Sequence, residues 1–413
     1  MPEVLVVGGG PVGLVTACLL ALRGVEVDVF EARTEPSLRS RAIGIHPPGL
    51  AALEQIGVAG ELIARAVKIR DGVVGCDGVA LGRLSFERAA PAHPFVVSLP
   101  QAETEALLRA RFAQLRPGAL HEGVAVTDAR DTGERVDVRL ADGTAVSARY
   151  LVGADGAHSR VRAAAGIGWR TSGSSETYLM ADFCDQGANG STAVLFFERG
   201  GVVESFPLPG GRRRWVAMTD RLSPGATAAD LADIIRQRTA VNLPEALAAP
   251  SAFAVQQRLA ERMRVGRIAL VGDAAHEISP IGGQGMNLGW LDAVALAPAL
   301  ERAVRADRTA ERASDRASDR ASDRASDRAA WETRRFDSVD SANLRCAVEN
   351  ALTAYDQRRR RAARMAVRQA GFNMAMGRPY DGVRLRARNA LVRLLSVPPA
   401  NQVLARAFTM RWL

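Results

Sequence analysis

"VLVVGGGPVGL", Val4–Leu14, is four apolar residues, a glycine-rich turn, and the first turn of an apolar helix. The all-apolar run reads as a buried parallel strand and not as a leader, because it is short, broken by glycine and preceded by Glu3. Gly8, Gly10 and Gly13 stand in the order GxGxxG directly between strand and helix. In that position the first glycine permits a tight turn. The second lets backbone approach a pyrophosphate, and the third lets helix and strand pack closely. Pro11 and Val12 open the helix, whose free N–H groups and positive dipole end suit an anion. Gly24 stops the helix, and "VEVDVF", Val25–Phe30, is a second strand. Glu31 at its end has the spacing of an acid that grips a ribose hydroxyl, with Arg33 close behind. The unit is a βαβ opening for an adenine dinucleotide, and an acid at Glu31 favours a free 2′-hydroxyl, as in NAD or FAD.

A second stretch, "RIALVGDAAHEISPIGGQGMNLGWLD", Arg267–Asp292, decides between these two. It is again a strand, a carboxylate at the strand's end (Asp273), a glycine-rich turn and a helix start. NAD needs one such loop. FAD is longer, and Asp273 can accept hydrogen bonds from its ribityl hydroxyls. A helix start around Gly283, Gly285, Met286 and Asn287 can aim N–H groups at the flavin's pyrimidine edge, where negative charge gathers on reduction. The two loops are therefore expected to hold the two ends of one FAD.

Between them lie helix patterns at "HPPGLAALEQIG" and Gln101–Leu115, then turns at Thr132–Gly133 and Asp142–Gly143 that divide a three-strand meander. The last strand, "AVSARYLVGADG", leads into another strand–turn–helix. From about Gly168 to Arg264 the pattern changes to short strands such as "TAVLFFERG", "VVESFPLPGG" and "RRRWVAMTD", which suggest an antiparallel sheet whose apolar face meets a ligand or a core. The expected fold class is α/β: a Rossmann-like FAD-binding domain with a meander, an inserted antiparallel substrate sheet, and C-terminal helices. Residues 1–75, 101–168 and 265–303 would form the FAD-binding domain and 76–100 and 169–264 the substrate domain. Residues 304–340 would be an insertion, and 341–413 the C-terminal helices.

The insertion contains "RASDRASDRASDRASDR", Arg312–Arg328, a perfect tetrapeptide repeat. It has no apolar face to dock, so it reads as a solvated helix extension or a disordered loop without chemistry. The tail from Arg384 is amphipathic. It packs on the body or, as the minor reading, lies on an anionic membrane surface.

Composition removes other classes. The 413 residues carry a net charge of +9, but Lys68 is the only lysine and the arginines are scattered, with 5% aromatics. That is no nucleic-acid stripe, although it draws phosphate-bearing cofactors. Cys18, Cys76, Cys184 and Cys346 make no CxxC pair and the five histidines no metal spacing, so no metal is expected and the thiols read as reduced, in a cytoplasmic protein.

Taken together, the motifs resemble the single-component flavin-dependent aromatic hydroxylases of the para-hydroxybenzoate hydroxylase fold. "GGGPVG" resembles that family's dinucleotide motif, and "YLVGADGAHSRVR", Tyr150–Arg162, its Asp-Gly motif, which brings in Asp155. "GDAAHEISPIGGQGMNLGWLD" resembles its Gly-Asp motif. "RSRAIGI" and "SLPQAETEALL" look familial as well and imply Arg41 and Gln101 beside the flavin, with Pro280 bordering the oxygen site. The likeness covers about residues 1–300 and "LTAYDQRRR"; the central sheet matches only in pattern.

The resemblance implies a monooxygenase. NADPH or NADH reduces the FAD and leaves, O2 then gives a flavin C4a-hydroperoxide, and one oxygen atom passes to an aromatic or polycyclic small molecule of secondary metabolism or catabolism. Baeyer–Villiger oxidation or epoxidation on the same fold stays open. Flavin-dependent halogenation and a non-catalytic FAD-binding role are lesser alternatives. Tyr178, Asp182 and Arg213 are the weak catalytic candidates of the central sheet, and the catalytic residues are otherwise unassigned. His276 is expected to brace its turn.

Overall fold

The computed structural model describes residues 1–35, 42–87, 90, 92–279, 283–323 and 330–410. The strand Val4–Val7 lies at the centre of a six-stranded sheet. Tyr150–Gly153 flanks it on one side and Val27–Glu31 on the other, both parallel to it. Ile268–Leu270 and Leu120–Glu122 extend the parallel set outward, and Arg264–Val265 closes one edge as an antiparallel strand. Val4, Leu5 and Val6 have no exposed surface, as a strand covered on both faces requires. The helix Pro11–Ala21 covers one face and packs closely on the long helix Gly285–Asp323.

The stretch read as one strand from Ala145 to Gly156 is two. Ala145–Ala148 is the edge of the three-stranded meander, and Tyr150–Gly153 belongs to the parallel sheet. The division falls at Arg149. Ala148 is paired in the meander, while the Tyr150 amide already donates to the Glu3 carbonyl beside the first strand.

The second large sheet has eight strands, in the order His276–Glu277, Ser251–Ala260, Trp169–Cys184, Arg212–Thr219, Gly201–Leu208, Ala193–Glu198, Asp71–Cys76, Val79–Ser85. The chain therefore enters this sheet at Asp71, before the boundary expected at residue 76. Asp71–Cys76 pairs in parallel with Ala193–Glu198, a long-range partner that no local pattern announces. One face of the sheet packs on the helix Ala228–Thr239 through Leu179, Phe183, Trp215, Leu231 and Ile235. The other face carries Tyr178, Met180, Phe197, Val216 and Phe253, and looks toward Met374 and the C-terminal helices.

The helix Gly285–Asp323 runs into the tetrapeptide repeat as a continuous extension, and Ala330–Gly377 returns along it. Residues 324–329, which include the end of the repeat, lie outside the described residues. Gly382–Leu395 and Ala400–Phe408 lie against the edge strand Val79–Ser85. Among the described residues no helix is long and apolar enough to cross a membrane.

Candidate functional site

Four parallel strands end at one edge of the first sheet, and each delivers a residue of the site there. After Val7 comes Gly8, and after Phe30 comes Glu31. Asp155 follows Gly153, and Asp273 follows Leu270. The C-terminal edge of an open parallel sheet is where such folds bind ligands, and these residues line one cavity of ≈ 790 Å³. It continues across to the apolar face of the second sheet.

The glycines divide by role. Gly8 sits at φ +108°, and a Cβ there would lie 2.3 Å from the Ala154 carbonyl oxygen. A Cβ on Gly13 would lie 1.9 Å from the Gly8 carbonyl oxygen, so Gly13 makes the close packing and does not reach the cavity. Gly10 lines the cavity, and a Cβ there would meet no atom of the described residues within 4 Å, which leaves its backbone open to a ligand. Pro11 and Val12 line the cavity beside it; the Pro11 carbonyl accepts from Trp290 Nε1 at 3.1 Å, tying this helix start to the second loop.

Glu31 is held from three directions. Its Oε2 accepts the Gly9 amide at 2.6 Å, and its Oε1 accepts the Arg33 amide and Nε, both at 2.9 Å. Burial alone would raise its carboxyl, but the hydrogen bonds and charge of Arg33 outweigh that and hold it below the usual carboxylate range. Both Glu31 and Arg33 line the cavity. Asp155 also lines it while capping the short helix Arg160–Ala164. One of its oxygens accepts Ser159 Oγ at 2.5 Å, and the other accepts the Arg160 amide at 2.7 Å.

The second loop is braced from below. Asp292, fully buried, accepts from the Gly272 amide at 3.0 Å, pairs with His276 Nε2 at 2.6 Å and takes Arg359 Nε at 2.6 Å. His276 is thus the brace it was read to be, and the brace fixes the turn that carries Asp273. Gly283, Gly285 and Met286 line the cavity at the helix start. Asn287 does not. Its side-chain oxygen accepts the His46 amide at 2.9 Å, and its nitrogen donates to the carbonyls of Gly44 (3.0 Å) and Gly283 (2.9 Å). It fastens the Gly44–His46 strand end to the second loop. Gln101 begins its helix on the cavity wall, with its amide donating to Glu105 at 2.7 Å. Arg41 and Pro280 lie outside the described residues.

None of the three catalytic candidates of the central sheet lines the cavity. Tyr178 stacks on Phe253 and donates its hydroxyl to Glu176 at 2.8 Å; burial, then the Glu176 charge, push its phenol far above the ordinary range. Asp182 forms a two-point ion pair with Arg214, at 2.6 and 3.0 Å. Arg213 has the alternate strand parity and points to the opposite side of the sheet, where it meets Ser205 Oγ and the carbonyls of Thr192 and Gly190. Arg and Asp looked chemical in the sequence, but in the fold each has its own partner: Asp182 meets Arg214 on the adjacent strand, and Arg213 meets Asp185 at 3.2 Å.

The sequence reading missed Glu204. It is buried on the strand Gly201–Leu208 and lines the cavity. Burial pushes its carboxyl up to about 8. The available signal was a single acid inside the apolar run "VVESFPL". Cys76, Asp77 and Glu198 bring three ligand-type atoms close together away from the cavity; there Glu198 accepts the Asp77 amide and Asp77 meets Arg199, so the group is internally engaged.

A family model described as the FAD binding domain matches residues 1–332. The chain belongs to that family. It is the family of the para-hydroxybenzoate hydroxylase-type flavoproteins that the three motifs resemble, and FAD is its cofactor. The backbone left open at Gly10, the engaged acid at Glu31 and the carboxylates Asp155 and Asp273 along one wall fit that group. A 6-methylpretetramide 4-monooxygenase of Streptomyces rimosus is 37% identical over 74% of this chain; the chain spans 56% of that curated relative, little more than half its length. The solved structure of the p-nitrophenol 4-monooxygenase PnpA from Pseudomonas putida DLL-E4 shares the fold. Its TM-score is 0.81 at 23% identity, over 99% of this chain and 98% of that one. The Diels-Alderase PyrE3 of pyrroindomycin biosynthesis is also similar, with a TM-score of 0.77 at 25% identity over 99% of this chain and 80% of that one.

Proposed function

We propose that the protein is an FAD-dependent monooxygenase that takes electrons from NADPH or NADH and inserts one oxygen atom of O2 into an aromatic or polycyclic small molecule. One observation carries this reading: a single cavity joins the dinucleotide edge of the parallel sheet to the apolar face of the antiparallel sheet. A cofactor along the first wall brings its reactive end to a hydrophobic chamber able to hold fused rings. Bound FAD supplies the oxygen-activating chemistry; the chain's residues bind, orient and exclude water. Gly8, Gly10, Pro11 and Val12 would hold the pyrophosphate, with Gly13 packing behind them. Glu31, with Arg33, would take the ribose, and Asp155 and Asp273 the ribityl end. Gly283, Gly285 and Met286 would present helix N–H groups to the ring, with Asn287 fixing that turn and Gln101 beside it.

The relative that acts on 6-methylpretetramide supports a polycyclic substrate of secondary metabolism. The likeness to a Diels-Alderase supports a second reading, in which the same flavoprotein scaffold closes a ring without net oxidation. The experiment is NADPH and NADH oxidation by the FAD-loaded protein in air, against phenols, hydroxynaphthoquinones and polycyclic hydroxyquinones. Accelerated oxidation with a product heavier by one oxygen atom supports the monooxygenase. Turnover of a polyene to an isomer, with no NAD(P)H consumed, replaces it with the cyclase.

A further inference from the structure

The sheet side of the cavity is lined by Val74, Leu195, Phe206, Val216 and Phe253, and Glu204 stands among them. Its cross-strand neighbours are Leu195 and Val216, both apolar. The residue is 4% exposed, and among the described residues its Oε1 has no hydrogen-bond partner. Folding does not favour a buried carboxyl without a partner. A second unmatched polar atom faces the same chamber. Asn373, on the helix Ala330–Gly377, accepts from Gln369 at 3.1 Å through its oxygen, while its buried Nδ2 has no partner among the described residues. This helix is seated on the strand that carries Glu204: a Cβ on Gly377 would lie 3.0 Å from Val202. The unmatched atoms of Ser98 and Glu277 on the cavity wall belong elsewhere. Ser98 lies on the strand paired with Gly44, beside the second loop, and Glu277 faces Arg258 at 3.7 Å.

We propose that Glu204 and Asn373 form the polar anchor of the substrate chamber, and that they select fused-ring ligands bearing a free hydroxyl or keto–enol oxygen, with Glu204 as the specificity-determining residue. A carboxylic acid both donates and accepts, so it matches a phenolic hydroxyl or a hydrogen-bonded hydroxy-ketone; Asn373 donates to a further oxygen of the same ligand. A methyl ether offers no proton and demands more room. A site built to hydrogen-bond a hydroxyl discriminates strongly against analogues that lack it. The assignment rests on the monooxygenase reading only for the choice of fused-ring ligands.

The test uses the oxidised, FAD-loaded full chain without NAD(P)H, titrated with juglone, alizarin and their methyl ethers. Binding is read from the perturbation of the flavin absorbance. The wild type is expected to bind a hydroxyl form at least about tenfold more tightly than its ether. Glu204→Leu brings that ratio close to one, and Asn373→Leu lowers it. Glu204→Gln, which keeps a donor and an acceptor, holds it within about threefold of wild type and guards against a mere folding defect. An unchanged ratio in Glu204→Leu overturns the anchor, as does a wild-type protein that binds none of the four compounds. Oxygen insertion is measured separately. If it proceeds with preference unaltered by Glu204→Leu, the anchor fails and the monooxygenase stands. If the preference is lost but no oxygen is ever inserted, the anchor stands and the monooxygenase fails.

Discussion

At the residue scale, Gly10 and Gly13 look equivalent in the motif and are opposite in the fold. A side chain on Gly13 would enter the Gly8 carbonyl, so Gly13→Ala should cost about 3 kcal/mol and lower the melting temperature before any question of cofactor arises. A Cβ on Gly10 meets no atom of the described residues within 4 Å, and Gly10 lines the cavity. Gly10→Val is therefore expected to keep the wild-type circular dichroism spectrum and lose FAD, read as flavin absorbance per protein after gel filtration; retained flavin would contradict the cradle. Glu204 makes a different prediction, from proton linkage. Its carboxyl sits at about 8 in the folded chain against an ordinary 4.5, so the folded state keeps a proton that the unfolded state gives up between those values. Stability should fall as pH rises through that window and level off above it. Glu204→Gln removes the titrating group and should flatten the fall; thermal melts of both proteins between pH 5 and pH 9 check it.

At the element scale, the second glycine-rich turn depends on one buried acid. Asp292 receives Gly272, His276 and Arg359, which come from the turn, the short strand after it and the returning helix. Burial would raise its carboxyl, but the charges and hydrogen bonds of His276 and Arg359 hold it below the ordinary 3.8. A depressed carboxylate contributes stability above its unfolded value and loses it as pH falls. Acid unfolding should therefore begin below about pH 4 in this region. Asp292→Asn leaves Arg359 buried opposite a neutral group and is expected to cost roughly 3–5 kcal/mol in urea unfolding, with flavin lost alongside. The sequence made the turn itself readable, because strand, carboxylate, glycines and helix start are consecutive. It made the βαβ opening readable for the same reason. The brace was half readable: His276 stands inside the motif, but Arg359 is 67 residues beyond Asp292 and only tertiary packing joins them. The central sheet was legible as strands and not as a site. Alternation says that Tyr178, Met180 and Asp182 share a face, but only the fold shows that Asp182 faces Arg214 and that Glu204 faces the cavity. The parallel pairing of Asp71–Cys76 with Ala193–Glu198 was likewise hidden, since its partners are too far apart for any local pattern to link.

At the scale of the whole molecule, two sheets of different construction share one cavity, and the end of the described chain closes it. Val392, Leu395, Leu404 and Phe408 come from the two C-terminal helices and line the chamber opposite the antiparallel sheet. Phe408 ties the closure to the cofactor half. Its ring stacks on Phe86 with centroids 5.9 Å apart and meets His46 edge-on at 5.7 Å, while its carbonyl accepts Gln284 Nε2 at 3.2 Å. Phe86 leaves the second sheet, His46 precedes the helix after the Gly44–Ile45 strand, and Gln284 precedes the helix start of the second loop. One residue thus touches both halves of the chamber through its ring and the second loop through its carbonyl. In a monooxygenase the chamber must stay dry while activated oxygen waits for substrate, because water diverts it to peroxide. Phe408→Ala removes the ring but leaves the backbone carbonyl, so it should open the chamber without releasing the cofactor. The expected result is normal flavin content, about tenfold weaker binding of the stimulating substrate, and a larger share of NAD(P)H oxidised to hydrogen peroxide. Peroxide assayed against NAD(P)H consumed reads that share directly. Unchanged coupling with weakened binding would make Phe408 a contact surface alone, and unchanged values of both would place the closure of the cavity in some other part of the fold.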